Sequence, residues 1–160
     1  MKHTYLSMIS VIEHLHRQFL DLVSAELERN VVQDINSIQA NILFNIGASD
    51  LTVGELTLRG CYLGSNVSYN VKKLVETGYL IQQRSAHDRR SVRVRLSPKG
   101  LTLCGEIDAM HDRHLAELSS GPIDATAVTH ALTTLRRFDR FWNRMAGEGL
   151  HQGALTFRAA

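Results

Sequence analysis

Two glycines, Gly60 and Gly64, constrain the fold of this chain most, because they bracket a tight connection between two helical patterns. Ahead of them, Thr52 and Glu55 have the spacing of a capping box, in which each side chain accepts a hydrogen bond from the other residue's backbone N–H. This spacing predicts a short helix before the turn. A second helix is predicted after the turn, with helically spaced apolar residues and a glycine stop, at Val67, Val71, Leu74, Val75 and Gly78.

The residues after this second helix predict a β-hairpin. Residues 79–84 and 91–96 are typical of strands, and the second run alternates apolar and polar residues, with Val92, Val94 and Leu96 on one face. The polar segment 85–90 is therefore predicted to be the tip of the hairpin. A helix, a tight turn, a second helix and a hairpin, in this order, form a winged helix-turn-helix.

Amphipathic patterns predict longer helices on both sides of this module. The first has its apolar positions at Ile9, Ile12, Phe19, Leu22 and Val23. Two later helices are predicted from residues spaced three or four apart, namely Leu103, Ile107, Met110, His114 and Leu118, and then Val128, Leu132, Leu135, Phe138, Trp142 and Met145. Gly121 and Pro122 separate these two, and Pro122 is expected in the first turn of the later helix. The predicted fold is therefore mainly α, with a small β-hairpin wing.

One further helix is predicted just before the helix-turn-helix. Asn36 is placed to cap it while Gln39 completes the capping box, and Gly47 provides a C-terminal stop. Its predicted apolar stripe consists of Ile38, Ile42 and Ile46.

The charge of the chain is segregated along the sequence. The formal net charge is only +2, but residues 59–99 contain nine basic and two acidic residues, a net charge of +7. The rest of the chain, with nine basic and fourteen acidic residues, carries −5. A cationic module within an anionic frame is typical of nucleic-acid binding. A solvated basic face would have the same composition, so charge alone leaves both interpretations open.

The motifs of several other protein classes are missing from the sequence. We find no nucleophile motif, HExxH motif or phosphate loop, and we therefore expect no enzyme, no cofactor and no metal site. His111 and His114 are interpreted as a surface or interface pair, because no cysteine accompanies them. Cys61 and Cys104 form no CxxC pair and are interpreted as packing residues of a reduced, cytoplasmic protein. We expect neither a signal peptide nor a membrane-spanning segment.

The central motifs resemble those of the MarR-type transcription regulators. The run Gly78-Tyr79-Leu80, followed by Asp88-Arg89-Arg90 and by residues 94–100, resembles the wing signature of that family, which is Gly-Leu-Val, Asp-Arg-Arg and Leu-Thr-x-x-Gly. Upstream, residues 55–74 fit the helix-turn-helix of the family without a gap. The resemblance covers residues 39–100 by motif and the flanking helices by architecture. It implies a homodimeric regulator of transcription that binds double-stranded DNA.

The resemblance also implies roles for individual residues. The helix at about 64–77 would be the recognition helix, with Ser65, Asn66, Ser68, Tyr69, Lys72 and Lys73 toward the operator. The hairpin at about 84–95 would be the wing, with DNA contacts from Arg84, Arg89 and Arg90 and with Asp88 holding a wing arginine in place. A crevice near Phe44, Cys61 and Tyr62 would bind a small effector such as an aromatic acid.

These expectations describe one domain over residues 1–160. Residues 1–33 and 101–146 are expected to form dimerisation helices, residues 34–100 the winged helix-turn-helix and residues 147–160 a loose tail. The dimer is expected to recognise an inverted-repeat operator and to be modulated by its ligand. The alternative is a helical protein-interaction module whose basic centre binds no specific DNA.

Overall fold

The computed structural model describes residues 1–60, 64–84 and 92–145, which form six helices and three short strands. The helices are α1 (Lys2–Arg29), α2 (Ser37–Ile46), α3 (Val53–Gly60), α4 (Gly64–Glu76), α5 (Pro98–Ser120) and α6 (Ala125–Met145). The strands are β1 (Leu51–Thr52), β2 (Leu80–Arg84) and β3 (Val92–Leu96). The prediction of a mainly helical fold with a small hairpin is confirmed. Among the described helices, none combines the length and the apolar character needed to cross a membrane.

Both predicted capping boxes are present. At the start of α2, Asn36 Oδ1 accepts a hydrogen bond from the Gln39 N–H at 2.9 Å, and Gln39 Oε1 accepts one from the Asn36 N–H at 3.0 Å. At the start of α3, Thr52 N–H donates to Glu55 Oε2 at 2.7 Å, and Glu55 N–H donates to Thr52 Oγ1 at 3.1 Å. These reciprocal bonds satisfy N–H groups that have no partner inside the helix, and they fix where α2 and α3 begin.

The start of α6 differs from its prediction. Pro122 lies in the turn that precedes the helix, and α6 begins at Ala125. The side chain of Asp124 caps the helix, since its Oδ1 accepts a hydrogen bond from the Ala127 N–H at 2.7 Å. The helix therefore begins after Asp124, whose carboxylate accepts from a first-turn N–H. A helix that began at Pro122 would have Gly121 as its N-cap, which has no side-chain acceptor.

The three strands form one antiparallel sheet in the order β1-β3-β2. Strands β2 and β3 are the predicted hairpin, and their register pairs Leu80 with Leu96. Strand β1 was not predicted, because two residues are too few to show an alternating pattern. It pairs Thr52 with Arg93, so the N-cap of α3 is also a strand residue.

The hydrophobic core lies within the helix-turn-helix and the helices that cover it. Its most deeply buried side chains come from α1 to α4 and from β3, and they are Val23, Ile42, Leu43, Ile46, Leu56, Val67, Leu74 and Val94. Helix α5 adds Leu103, Ile107 and Met110. The predicted stripe of α2 was wrong at one position, since Ile38 is 44% exposed. Because α2 is packed by α1, α3 and α5, its buried face instead widens to include Ala40 and Leu43.

The connection from α4 to β2 is tightly packed against the start of α5. Gly78, with φ of 78°, follows the end of α4 as predicted, and the Tyr79 N–H donates to the Leu74 carbonyl at 2.9 Å. Ser97 caps α5 and also donates its hydroxyl hydrogen to the Gly78 carbonyl at 2.6 Å. A Cβ atom on Gly100 would lie only 2.3 Å from the Tyr79 carbonyl oxygen, so only glycine fits at that position.

The terminal helices leave much apolar surface exposed. In the described span 125–145, no residue of α6 is buried, although the helix has a continuous apolar stripe. Near its C-terminal end, α6 contacts the first turn of α1, where the Tyr5 hydroxyl accepts a hydrogen bond from Trp142 Nε1 at 3.0 Å. Phe138 lies beside both rings, 6.3 Å from Tyr5 and 5.9 Å from Trp142 between centroids.

Candidate nucleic-acid interface

Helix α4 has one face in the core and one face toward solvent. Val67, Val71 and Leu74 are at most 4% exposed, which anchors the helix against α3 and the sheet. The predicted contact residues that the structure describes, namely Asn66, Ser68, Tyr69, Lys72 and Lys73, are all exposed. Ser65 lies in the first turn of α4, and its side chain is outside the described part of the chain. The exposed face is therefore polar and cationic, as major-groove contacts require.

The two lysines of this face share one carboxylate at the C-terminal end of α4. Lys73 Nζ lies 3.1 Å from Glu76 Oε2, whereas Lys72 Nζ lies 3.9 Å from Glu76 Oε1. The hydrogen bond to Glu76 raises the pKa of Lys73. The side chain of Lys72 is 77% exposed and more loosely paired, which makes it the better placed of the two to reach a phosphate.

The hairpin beside α4 is described only at its base. Arg84 is the last residue of β2 and pairs with Val92, and its side chain is outside the described residues. The predicted wing residues Asp88, Arg89 and Arg90 also lie outside the described residues, so their roles stay predictions. Arg95 is exposed on β3 and adds a positive charge to the base of the hairpin.

Arg93 uses its charge within the protein. Its Nε lies 3.3 Å from Asp50 Oδ1, its Nη1 lies 4.0 Å from Glu55 Oε2, and its Nη2 donates to the backbone carbonyl of Asp50. These contacts join β3 to the residue before β1 and to the first turn of α3. Arg93 is one of the nine basic residues of the cationic module, residues 59–99. Its partners could not be predicted, because they lie about forty residues earlier in the chain.

Lys99 is a second basic residue with an internal role. Its Nζ donates to Asp34 Oδ2 at 2.6 Å and to the Thr77 carbonyl at 3.0 Å, and it lies 4.0 Å from the centroid of the Tyr79 ring. The Tyr79 hydroxyl donates to the other Asp34 oxygen at 2.8 Å. Burial alone would raise the pKa of Asp34, but the hydrogen bonds from Lys99 and Tyr79 outweigh burial and lower it. This cluster joins the end of α4 to α5 and to the segment before α2.

The predicted effector site is described at one of its three residues. Phe44 is half-buried on α2, and its ring is tilted by 71° to the His111 ring of α5, at 4.9 Å between centroids. Phe19 of α1 stacks near the same imidazole at 6.2 Å. Burial, together with the neighbouring His114, lowers the pKa of His111 and favours the neutral ring. Cys61 and Tyr62 lie outside the described residues. The described part of the chain contains no cluster of three potential metal ligands.

A buried carboxylate joins α1 to α5 near this aromatic group. The side chain of Glu26 is only 8% exposed, and its Oε2 accepts a hydrogen bond from Arg113 Nη2 at 2.6 Å. Asn30 Nδ2 donates to Glu26 Oε1 at 3.0 Å. Burial would raise the pKa of Glu26, but the hydrogen bonds from Arg113 and Asn30 lower it overall. The sequence carried no signal for this pair, since Glu26 lies on a helix with other acidic residues.

A helix with a buried apolar face and an exposed polar and cationic face, joined to an antiparallel hairpin, defines a winged helix-turn-helix protein. A family model described as "MarR family" matches residues 33–91. The exopolysaccharide II synthesis transcriptional activator ExpG of Rhizobium meliloti (strain 1021) is 39% identical over 147 residues, which are 92% of this chain and 76% of that protein. The chain belongs to the MarR family of transcription regulators, and it is not an enzyme.

Several solved structures have the same fold. Streptococcus pneumoniae FabT in complex with DNA superposes with a TM-score of 0.72 at 19% identity, covering 88% of this chain and 99% of that chain. A mutant MarR from E. coli, complexed with operator DNA, has a TM-score of 0.69 at 18% identity, covering 84% and 95%. A MarR transcriptional regulator from Methanosarcina mazei Go1 has a TM-score of 0.70 at 23% identity, covering 85% and 96%.

Proposed function

We propose that this chain is a homodimeric regulator that binds an inverted-repeat DNA operator through α4 and the hairpin, and that a small ligand modulates this binding. The observation that carries the proposal is the exposed polar and cationic face of α4, held on a core that contains Val67, Val71 and Leu74. Two neighbours with this fold, FabT and the E. coli MarR mutant, are DNA complexes, which supports the same partner here.

Specific residues on α4 and the hairpin carry the proposed DNA contacts. Asn66, Ser68 and Tyr69 offer hydrogen-bonding groups to base edges, whereas Lys72 and Lys73 offer charge to phosphates. Ser65 and the wing residues Arg84, Asp88, Arg89 and Arg90 belong to the same proposal on the strength of their sequence positions.

The proposed dimer rests on the apolar surface of the terminal helices. On α6, Val128, Leu132, Leu135 and Phe141 are between 38% and 46% exposed in the single chain. On the first half of α1, Leu6, Val11 and Leu15 are more than half exposed. A continuous apolar face of this length is costly in water and is typical of a subunit interface. Residues 1–33 and 101–146 are thus the proposed dimerisation helices around the module 34–100.

Dimerisation has a direct test. Light scattering at micromolar concentration should give the mass of a dimer, and Leu132→Glu should shift it toward the monomer because a charge would then be buried in the interface. Thr133→Glu, at an exposed neighbour of Leu132, is the matched control. A stable, folded parent monomer would contradict the dimer.

A two-fold dimer implies an inverted repeat. Its half-sites should lie about one helical turn, ~10 bp, apart from centre to centre. A gel shift with competitor DNA tests binding, and a spacer lengthened by about half a turn should abolish cooperative binding, because it rotates one half-site away. Unchanged affinity with the longer spacer would contradict a dimer that binds both half-sites. If a specific duplex cannot be found at all, the helical protein-interaction module becomes the better interpretation.

The proposed ligand is a small aromatic acid that contacts Phe44, with Cys61 and Tyr62 as further candidates by sequence position. The half-buried Phe44 ring supports a site that takes an aromatic group. A screen of such acids should change both the melting temperature and the affinity for the operator. If neither changes, the aromatic ligand is ruled out. Because ExpG is a transcriptional activator, we favour activation over repression. We propose the cytoplasm as the site of action.

A further inference from the structure

The base of the hairpin is the place where the wing can be fixed relative to the rest of the module. Strand β3 is bordered by β1 only at Arg93 and Val94, whereas β2 borders it over the whole described hairpin. Between Arg93 and the tip, the described part of β3 is Val92, which pairs with Arg84 of β2 and not with β1. The direction in which the wing projects is therefore set at the level of Arg93.

Arg93 contacts three acceptor groups on two residues at the base of the hairpin. Its guanidinium reaches the Asp50 carboxylate, the Asp50 backbone carbonyl and the carboxylate of Glu55. Glu55 is itself fixed, because it accepts the capping-box hydrogen bond from the Thr52 N–H at 2.7 Å. A planar guanidinium can bond several acceptors at fixed angles, which an ammonium group cannot reproduce. The contacts therefore define an orientation as well as an attraction.

We propose that Arg93 is a positioning residue for DNA binding: it holds the base of the wing against the start of α3, so that the wing and α4 meet DNA in one fixed geometry. Helix α3 packs on α4, so the wing is linked to α4 through Arg93 and α3. Arg93 then raises DNA affinity without contacting a phosphate, although it belongs to the basic module. This inference rests on the proposed DNA-binding function.

Substitutions that keep or increase the positive charge test this role. Arg93→Lys keeps the charge but loses the guanidinium contacts with Asp50 and Glu55. Asp50→Ala removes the carboxylate that Arg93 contacts and makes the protein more positive. The probe is a duplex selected by the parent protein from a random-sequence library, and its affinity is measured across a salt series. Both variants should bind it roughly tenfold more weakly, because the wing must be ordered as it binds. The salt slope should be that of the parent, because the bound complex keeps the same phosphate contacts. Arg95→Lys, on an exposed residue of the same strand, is the matched control and should bind like the parent.

Charge alone predicts a different result. If Arg93 acted only through its positive charge, Arg93→Lys would bind like the parent and Asp50→Ala would bind more tightly. Either result overturns the proposal. The double variant should bind no more weakly than Arg93→Lys alone, since the two residues act through one contact. Thermal unfolding of each variant checks that it is folded. A different outcome would overturn the proposed function itself. The parent would then select no duplex, and its affinity for random DNA at low salt would be no higher than at high salt.

Discussion

The Tyr79 hydroxyl donates a hydrogen bond to the Asp34 carboxylate at 2.8 Å, across 45 residues of sequence. Tyr79 is 3% exposed and directly follows the turn that ends α4, whereas Asp34 precedes α2. Lys99 completes the cluster from the first turn of α5. Three segments that are distant in sequence thus meet at one carboxylate, which ties α4 to a helix of the proposed dimer region.

Removal of the Tyr79 hydroxyl should destabilise the protein in a pH-dependent way. We expect Tyr79→Phe to cost about 1 kcal/mol at neutral pH, because a hydrogen bond to a charged group is lost. The pKa of Asp34 is lowered in the folded protein, so its stabilisation is present above the ordinary carboxyl pKa of about 3.9 and is lost as the pH falls through the lowered value. Urea unfolding of parent and variant at several pH values measures this difference.

Tyr69→Phe is the control for this experiment, because Tyr69 is 62% exposed on α4 and should not affect stability. A Tyr79→Phe cost that stayed constant down to the lowest pH would mean that the hydroxyl acts independently of the ionised carboxylate.

The Glu26–Arg113 pair predicts a larger effect. Arg113→Met leaves a buried carboxylate without its cation and should cost about 2 kcal/mol, a value reduced because the Arg113 side chain is 41% exposed. In the parent, the lowered pKa of Glu26 stabilises the fold above the ordinary glutamate pKa of about 4.3, and this stabilisation is lost on acidification. In the variant, burial would raise the Glu26 pKa, so the deficit should be largest at neutral pH and shrink in acid. Denaturant titrations of parent and variant at neutral and at acidic pH measure this loss of stability.

The double variant Glu26→Gln/Arg113→Met separates charge from packing. It should recover part of the loss at neutral pH, since no charge is left buried. If it is as unstable as Arg113→Met, the lost packing of the arginine side chain, rather than the unpaired charge, explains the result.

The strained backbone at Val31 predicts that a substitution there stabilises the fold. It has φ of 56° at the end of α1, in the left-handed region that β-branched residues avoid, and it is 78% exposed. Val31→Gly should raise the free energy of unfolding by about 1 kcal/mol, because glycine adopts this conformation without strain. Calorimetry should show a higher melting temperature. Val32→Gly is the control, since Val32 packs against the core and its truncation should lower the melting temperature. A lower melting temperature for Val31→Gly would show that strain at Val31 is negligible.

Substitutions on α4 should separate phosphate contacts from base contacts. Lys72→Ala should weaken binding to all duplexes similarly and reduce the salt slope by about one unit. Asn66→Ala should cost roughly 1–3 kcal/mol on the operator and leave the slope unchanged, if its amide contacts a base. Affinities for operator and random duplexes across a salt series test both. Equal losses on both duplexes for Asn66→Ala would contradict a base contact.

The wing arginines need the same measurement. Replacement of both Arg89 and Arg90 should weaken operator and random binding and reduce the preference for a narrow, A·T-rich minor groove. If this double variant binds both duplexes like the parent at every salt concentration, the Asp88-Arg89-Arg90 motif serves the structure of the wing and not DNA contact.

The features that could be predicted from the sequence depend on neighbours in the chain. The capping boxes at Asn36 and Thr52 are formed by residues three positions apart, so their spacing was sufficient. Strand β1 could not be predicted, because it exists only through its pairing with β3. The ion pairs could not be predicted for the same reason, because Arg93 pairs with Asp50 at a separation of 43 residues and Lys99 with Asp34 at a separation of 65. A count of basic residues cannot distinguish a cation with an internal partner from one that faces solvent.

The contact between Tyr5 and Trp142 makes association visible without a label. Trp142 is the only tryptophan of the chain, and its indole is half-buried where the first turn of α1 meets the end of α6. Its fluorescence therefore reports on the terminal helices alone, remote in sequence from the hairpin and α4. A blue shift of its emission with rising protein concentration would follow the burial of this indole by a second subunit. A further change of the emission when DNA is added would show that DNA binding alters the surroundings of the terminal helices.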